Sequence, residues 1–261
     1  MSFIDAISTI DIPEGGDLPL GTFTWMHGNK AGKTPGAFFG KATEFTGTPD
    51  APWVADDRFD DDPGFSASAL KIAVIAWRQQ WYRQDENDGP KAWLPDYETG
   101  AKKQVEYICF AEGVDDPMIL TLAKYTKAKP IQDIVKSYRD GLLRQASRVA
   151  GRGLPLWSFW LPIMGKQKDG KAIYEEVQRN GVGTGAYVTY PTMTLPADAM
   201  DTLFVGGDLL QRGADVARQY ARWTEQKRLP QNTVEGVVEY PALPAPSGRN
   251  VPQPVDEDEL F

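Results

Sequence analysis

The sequence predicts a mainly β domain with helices attached, built as a small barrel or a sandwich. The 261 residues include 25 glycines and 20 prolines, a density that favours a turn-rich β protein over a helical bundle. Several segments also alternate aromatic or β-branched residues with small or polar ones, which is the period of a half-buried strand. A chain of this length can bury a sizeable core.

Three parts are expected along the chain. Residues 1–18 form an irregular leader, residues 19–230 form the folded domain, and residues 231–261 form a Pro-rich arm that we expect to be disordered. The N-terminus does not resemble a secretory signal, and no apolar run approaches the roughly 18 residues of a membrane span. These features predict a cytoplasmic protein with no membrane partner.

The first half of the domain is predicted to consist of strands. GTFTWMHG and GAFFGKATEF form a hairpin around the loop GNKAGKTPG. FSASALKIAVIAWRQQWYR is one long strand or two paired strands, although its middle also fits a helical period. QVEYICFAEG and PMILTLAKYT pair around the turn GVDDP.

Two amphipathic helices are predicted in the second half. The first is IQDIVKSYRDGLLRQASRVAG, which Gly151 ends, and the second is GDLLQRGADVARQYARWTEQKR. The apolar face of the first comprises Ile131, Ile134, Val135, Tyr138, Leu142, Ala146 and Val149. Between the helices, LPLWSFWLP begins as an aromatic strand, and YVTYPTMTL is a strand at an edge or bulge because Pro191 interrupts it.

Enzyme motifs are incomplete in this sequence. GNKAGKT has three residues between its glycines where a phosphate-binding loop has four, and no helix follows it. GVGTGA follows the helix-like IYEEVQRN and precedes a strand, the reverse of the order that a dinucleotide site needs. His27 is the only histidine and Cys109, a predicted core residue, the only cysteine. We therefore expect no cofactor, no metal site and no catalytic residues.

The acidic loop DDRFDDD leaves one enzymatic alternative open. Its carboxylates could hold Mg²⁺ and would then indicate a metal-dependent nuclease. They belong to Asp56, Asp57, Asp60, Asp61 and Asp62. Adjacent acids in a Pro- and Gly-containing loop are usually solvated, and no lysine at catalytic spacing follows, so the nuclease is the alternative rather than the first hypothesis.

Charge is segregated along the chain. The net charge is −8, and the last residues contribute four acids. Residues 121–152, by contrast, hold eight Lys or Arg against Asp133 and Asp140. This pattern is typical of a polyanion site that coexists with an anionic tail, and a solvated helix face is the alternative interpretation.

Aromatic rings and cations recur together in the predicted strands. Single-stranded nucleic acid is held by this combination, since rings stack on bases for roughly 1–3 kcal/mol each and cations follow the phosphates. The predicted contacts are Trp25, Lys30, Lys33, Phe39, Lys41, Lys71, Trp77, Arg78, Trp81, Tyr82, Arg83, Lys124, Tyr125, Lys127, Lys129, Arg144, Arg148, Trp157 and Trp160. If these aromatics are core residues instead, the chain is a structural or adaptor protein.

The segment WRQQWYR sharpens this hypothesis through its period of two. On a strand, one face carries Trp77, Gln79, Trp81 and Arg83, and the other carries Arg78, Gln80 and Tyr82. One of these two rows is expected to belong to the core.

The chain ends in VDEDELF, with two apolar residues after four acids. Together with the aromatic and cationic strands, the inserted helix and the Pro-rich arm, this ending resembles that of single-stranded DNA-binding proteins of bacteria and bacteriophages. The residues of this tail are Asp256, Glu257, Asp258, Glu259, Leu260 and Phe261. Leu260 stands where a proline often precedes the last Phe, and the chain is longer than common bacterial members, which brings it closer to a bacteriophage version.

The resemblance implies an OB-fold barrel with an inserted helix, a C-terminal helix and a disordered acidic tail. It implies a non-catalytic protein of DNA replication, recombination and repair in a bacterial cell or a phage-infected host, and it is compatible with a homo-oligomer. It further implies that the tail competes for the cationic groove when DNA is absent. When DNA binds, the released Phe261 would enter a pocket on a replication or recombination protein.

Overall fold

The computed structural model describes residues 20–31, 34–57, 63–84, 91–123, 125–179, 182–221 and 223. The predicted leader at 1–18 and the predicted Pro-rich arm at 231–261 lie outside the described residues.

Ten strands form one large mixed sheet, which confirms the mainly β class. These strands are β1 (Thr22–Met26), β3 (Ala37–Lys41), β4 (Val54–Asp56), β5 (Gly64–Ala67), β6 (Ala69–Arg83), β7 (Ala92–Leu94), β8 (Lys102–Ala111), β9 (Met118–Ala123), β10 (Leu161–Gly165) and β15 (Pro191–Met193). Their order is β15–β10–β6–β8–β9–β1–β3–β5–β4, with β7 paired to β6. Only β1 and β9 run parallel among these pairs of described strands. The described strands follow an open path, so the predicted closed barrel is not found among them.

Two small sheets accompany the large one. The first consists of β2 (Gly28–Asn29), β13 (Glu175–Arg179) and β14 (Val182–Thr189), in the order β13–β14–β2. The second is the hairpin of β11 (Gln167–Lys168) and β12 (Lys171–Ala172). Because β2 follows β1 after one residue, and β14 precedes β15 by one residue, the first small sheet connects two distant parts of the main sheet.

Several predicted pairings are confirmed. The predicted N-terminal hairpin is β1 with β3, and the pair around GVDDP is β8 with β9. The strand predicted around Pro191 is divided there: β15 lies at the edge of the main sheet, whereas the residues before Tyr190 belong to β14, the middle strand of the first small sheet. Two local predictions are wrong. IYEEVQRN is largely strand β13 rather than a helix, and the aromatic run at 156–158 is a 3₁₀ turn that precedes β10. In the first case β13 pairs with the next strand, β14, in a hairpin, and this pairing overrides the local helical pattern.

Strand β6 is a single strand of fifteen residues, so the helical alternative is wrong. Its register with β8 shifts between Val74 and Ala76, which leaves Ile75 as the extra residue of a bulge. Val74 pairs with Cys109 and Trp77 pairs with Tyr107, and these two partners share one face of β8. The bulge therefore keeps Val74 and Trp77 on the same side of the sheet although three positions separate them.

The inserted helix covers that side of the sheet. It comprises α1 (Tyr125–Tyr138), a π-helical segment (Arg139–Leu143) and α2 (Arg144–Val149). The predicted apolar face is buried from Ile131 to Ala146, and Gly151 has the positive φ of a helix end. Val149 is an exception, because residues 148–153 are all exposed and the last turn has passed the edge of the core.

The other side of the sheet is covered by the C-terminal helix α4 (Gly207–Gln219), which follows the short helix α3 (Ala199–Thr202). Trp157, Tyr220 and Trp223 pack there against side chains of β6, β8 and β9. Cys109 is fully buried on the α1 side, where burial raises the pKa of its thiol to about 12. None of the helices that the structure describes is long and apolar enough to cross a membrane.

Candidate nucleic-acid interface

Several predicted contact residues lie in the interior. Trp25 is 0% exposed and Tyr82 is 1% exposed, and Phe39 is also buried. Trp157 and Trp160 are half-buried between the sheet and α4. Trp25, Phe39 and Tyr82 are core residues and are not presented for stacking on a base, contrary to the sequence-based expectation, whereas Trp157 and Trp160 keep part of their surface exposed.

Arg78 is also an interior residue. Its Nε donates to Glu106 Oε2 at 2.8 Å, and its guanidinium lies 4.3 Å from the ring centroid of Trp223. Both members of the ion pair are almost fully buried. Arg78 therefore supports the sheet beneath α4, which corrects its assignment as a phosphate contact.

The side chains of WRQQWYR alternate between the two faces of β6, as the period of two predicts. Arg78, Gln80 and Tyr82 are buried, whereas Trp77, Gln79 and Arg83 are exposed. The row that begins with Trp77 is therefore the one that remains available to a ligand.

The first two residues of the exposed row line a cleft of about 330 Å³ between β6, β8 and α1, here termed the Trp77 cleft. Trp77 and Gln79 come from β6, and Tyr107 comes from β8. The opposite wall runs along α1 from Lys129 and ends at Arg139, the first residue of the π-helical segment. Trp77 is 47% exposed, whereas Tyr107 is only 2% exposed, so Trp77 is the ring that a ligand can reach.

The Trp77 cleft is cationic. Among the described residues that line it, Lys103, Lys129, Lys136 and Arg139 stand against the carboxylate of Asp133, and Arg139 Nε also donates to Asp140 Oδ1 at 3.2 Å. Lys129 Nζ lies 3.0 Å from Asp133 Oδ1. Burial raises the pKa of the Tyr107 hydroxyl, and the charge of Asp133 raises it further, so Tyr107 is a neutral wall of the cleft. The surplus of positive charge favours an anionic ligand.

Further cations continue the same helix beyond the cleft. The Arg144 backbone N–H donates to the Arg139 carbonyl across the π-helical turn, so Arg144 lies one turn beyond Arg139. Arg148 follows one α-helical turn later, and both arginines are exposed. The helix therefore extends the cationic wall from Lys129 to Arg148.

A second aromatic pair lies towards the tip of β6. The rings of Trp81 and Tyr97 are 4.8 Å apart at an interplanar angle of 63°, and Tyr97 is 54% exposed. Trp81 pairs with Lys103 across the strands, which connects this pair to the Trp77 cleft. Nearby, Arg83 forms an exposed ion pair with Glu98 at 2.8 Å.

The sequence-based contact set omitted Lys103, Lys136, Arg139 and Tyr97. Lys136 and Arg139 follow Lys129 at helical spacing, so a helical projection would have found them. Lys103 faces Trp81 only because of the strand register, which no local pattern reveals.

The remaining predicted cations are dispersed. Lys71 pairs with Glu112 at 2.6 Å, and Lys41 lines a separate cleft of about 600 Å³ together with Glu44 and Glu106. Lys30 lies on a third cleft, described below. Lys33, Lys124, the Tyr125 side chain and the tail residues from Asp256 to Phe261 lie outside the described residues.

The acidic loop is described only in part. Asp56 and Asp57 belong to the described residues, and Asp60, Asp61 and Asp62 do not. Within the part of the chain that the structure describes, no group of three or more His, Cys, Asp or Glu side chains is arranged to hold a metal ion.

His27 lies where β1 meets β2. His27 Nδ1 lies 3.2 Å from Trp25 Nε1 and 3.3 Å from the Thr189 carbonyl oxygen, so it accepts from Trp25 in one tautomer and donates to Thr189 in the other. Burial lowers the pKa of His27, the Thr189 carbonyl opposes this effect, and the charge of Lys127 in the first turn of α1 adds to it. His27 is therefore a neutral structural residue at pH 7.

This environment predicts a loss of stability in mild acid. The folded-state pKa of His27 lies below its ordinary value of 6.5, so the unfolded chain takes up the proton first as the pH falls. The contribution of neutral His27 to the free energy of unfolding is complete above pH 6.5. It decreases as the pH falls from 6.5 to the lowered pKa. Urea unfolding across this range should show a steeper decrease for the wild type than for His27→Gln. Parallel curves would contradict the prediction.

Comparisons with protein-family models, with curated proteins and with solved structures return no match for this chain. Function must therefore be inferred from the residues of the clefts themselves.

Proposed function

We propose that this protein binds single-stranded DNA without catalysing a reaction, and that the Trp77 cleft holds the strand. The observation that carries this proposal is a half-exposed Trp77 in a cleft whose described lining residues include four cations and one carboxylate. A ring in that position stacks on a base irrespective of sequence, and the cations neutralise the adjoining phosphates.

The geometry favours single strands over duplexes. Trp77 projects from the sheet towards a helix, in a cleft of only about 330 Å³. A base can stack on a ring in such a cleft only when it has left the stack of a duplex, which costs a few kcal/mol. An unpaired strand does not incur this cost.

We also propose an OB-type strand arrangement. An OB-fold is a partly open Greek-key barrel of five strands, and it binds nucleic acid on its second and third strands and their adjoining loops. In support, β6, β8 and β9 form a meander, α1 follows β9, and β10 returns antiparallel to β6. If β6 and β8 are the first two strands, the Trp81–Tyr97 pair belongs to the loop region between them, which OB-folds use for binding.

The acidic tail is proposed to recruit replication or recombination proteins. This part of the proposal is supported by the sequence VDEDELF, in which Leu260 and Phe261 follow four acids. Deleting residues 256–261 should tighten DNA binding at low salt, because a competing polyanion is removed, and should abolish capture of the partner. Unchanged results in both assays would contradict the role of the tail.

The proposed function is tested by mobility shifts with single-stranded and double-stranded DNA of equal length. We expect the single strand to bind tightly and the duplex weakly, with quenching of tryptophan emission that added salt reverses. Incubation of the same strands with Mg²⁺ should leave them intact. Equal affinity for both forms, or for neither, would overturn the proposal, and Mg²⁺-dependent cleavage would favour the nuclease.

The cations along the inserted helix should determine how strongly DNA binding depends on salt concentration. A plot of log K against log salt has a negative slope. In the variant Lys136→Gln/Arg139→Gln this slope should become less steep by about 0.7 for each phosphate that the two side chains neutralise in the wild type. The measurement is fluorescence anisotropy of a labelled oligo-dT strand over a salt series. Lys71→Gln is the matched control, because Lys71 pairs with Glu112 and does not line the Trp77 cleft. An unchanged slope in the double variant would exclude these two cations from the site.

A further inference from the structure

We propose that a second stacking position for the same strand lies at Tyr187, in a cleft of about 640 Å³ between the β13–β14 hairpin and β2, here termed the Tyr187 cleft. The inference rests on the proposed function, which it extends from one cleft to two. Tyr187 was not among the residues that the sequence indicated.

Tyr187 and Lys30 are held together by the backbone. Val188 pairs with Asn29 and Thr189 pairs with Gly28, and the Lys30 backbone N–H donates to the Tyr187 carbonyl at 3.4 Å. As a result, Lys30 Nζ lies 4.3 Å from the centroid of the Tyr187 ring. One ring thus carries a cation at its face, the pairing of aromatic ring and positive charge that binds single strands.

The Tyr187 cleft leaves space for a base. Tyr187 is 38% exposed, and its neighbours in the lining are mostly small, among them Gly28, Gly185 and Ala186. Among the described residues that line it, there is no carboxylate. The nearby Glu176 carboxylate accepts from the Gly185 backbone N–H at 2.8 Å, where the register of β13 with β14 shifts. A base can therefore stack on the open face of Tyr187 while Lys30 attracts its phosphate.

Helix α1 lines the Trp77 cleft, and its first turn lies near His27, a residue of the Tyr187 cleft. Lys127, in its first turn, is close enough to lower the pKa of His27, which lines the Tyr187 cleft. The residues from Lys129 to Arg139 line the Trp77 cleft. From Lys127 to Arg139 the helix rises by about 18 Å at 1.5 Å per residue. A stacked strand with about 3.4 Å between phosphates covers this distance with roughly five nucleotides.

Two stacking positions predict that the effect of a Tyr187 substitution on binding depends on the length of the DNA strand. A strand of about four nucleotides reaches one cleft, and one of about twelve reaches both, within the range of site sizes known for single OB-folds. We expect Tyr187→Ala to weaken binding of the longer oligo-dT by at least about five-fold and to leave the shorter one unchanged. Tyr187→Phe, which retains the ring, should bind both strands as the wild type does.

The controls separate this inference from the proposed function. Val182→Ala removes an apolar side chain that is 67% exposed on the same strand and should bind both lengths normally. Trp77→Ala should weaken binding of both lengths. If Tyr187→Ala melts at lower temperature but binds the longer strand normally, the contact with Lys30 is purely structural and the inference is overturned, while the effect of Trp77→Ala still supports the proposed function. Equal weakening at both lengths would also overturn the two-position arrangement. No effect of either alanine variant would overturn the proposed function itself.

Discussion

Replacing Trp77 with alanine is expected to weaken binding of an oligo-dT strand by about 1–3 kcal/mol, which is roughly 5- to 150-fold. The indole is 47% exposed, and Tyr107 on the opposite strand is too deeply buried to take its place. Because stacking is not a charge interaction, the affinity should fall at every salt concentration while the slope of log K against log salt stays constant. Anisotropy titrations at several salt concentrations measure both quantities.

Two variants control this experiment. Trp77→Phe retains a flat ring and should recover much of the affinity, whereas Val54→Ala removes an exposed side chain from β4, at the far end of the main sheet, and should have no effect. Thermal unfolding verifies that the alanine variant is folded. Wild-type affinity in Trp77→Ala would show that the cleft does not stack a base.

The contrast between Trp25 and Trp77 explains what the sequence could predict about the site. Both residues lie in strands near cations, and the local pattern around each is similar. Trp25 is enclosed by Phe38 and the rest of the core, while Trp77 lies beyond the bulge at Ile75, where the sheet is only partly covered by α1. Burial of a ring depends on which distant element covers its strand, and residue spacing does not contain that information.

The period of two predicted which side chains share a strand face more reliably than the local pattern predicted which rings are buried. It separated the row of Trp77 from the row of Arg78, because alternation is a local property of every strand. It could not indicate which row is covered, since Trp223 is far away in sequence and packs over Arg78. Strand pairing is equally difficult to predict, because it also depends on residues that are far apart in sequence. The parallel pair of β1 with β9 joins distant segments, and neither segment specifies the other.

Breaking the Arg78–Glu106 pair from one side should have the largest effect on stability. Arg78→Met keeps an apolar side chain of similar length under Trp223 but leaves the Glu106 carboxylate buried without its cation. Loss of one partner from a buried pair costs about 3–5 kcal/mol. Urea unfolding of the variant should show a correspondingly lower free energy of unfolding. A cost below about 1 kcal/mol would be typical of a solvated pair and would contradict the burial of Arg78.

The double variant distinguishes an uncompensated buried charge from the simple absence of an ion pair. Arg78→Met/Glu106→Leu removes both charges, so no uncompensated carboxylate remains, and we expect most of the stability to return. Where the variants are folded, the salt dependence of DNA binding should match that of the wild type, because Arg78 lies on the side of the sheet that faces Trp223. Adjacent residues of β6 would then serve separate purposes, since Trp77 would affect the affinity for DNA and Arg78 the stability of the sheet that presents it.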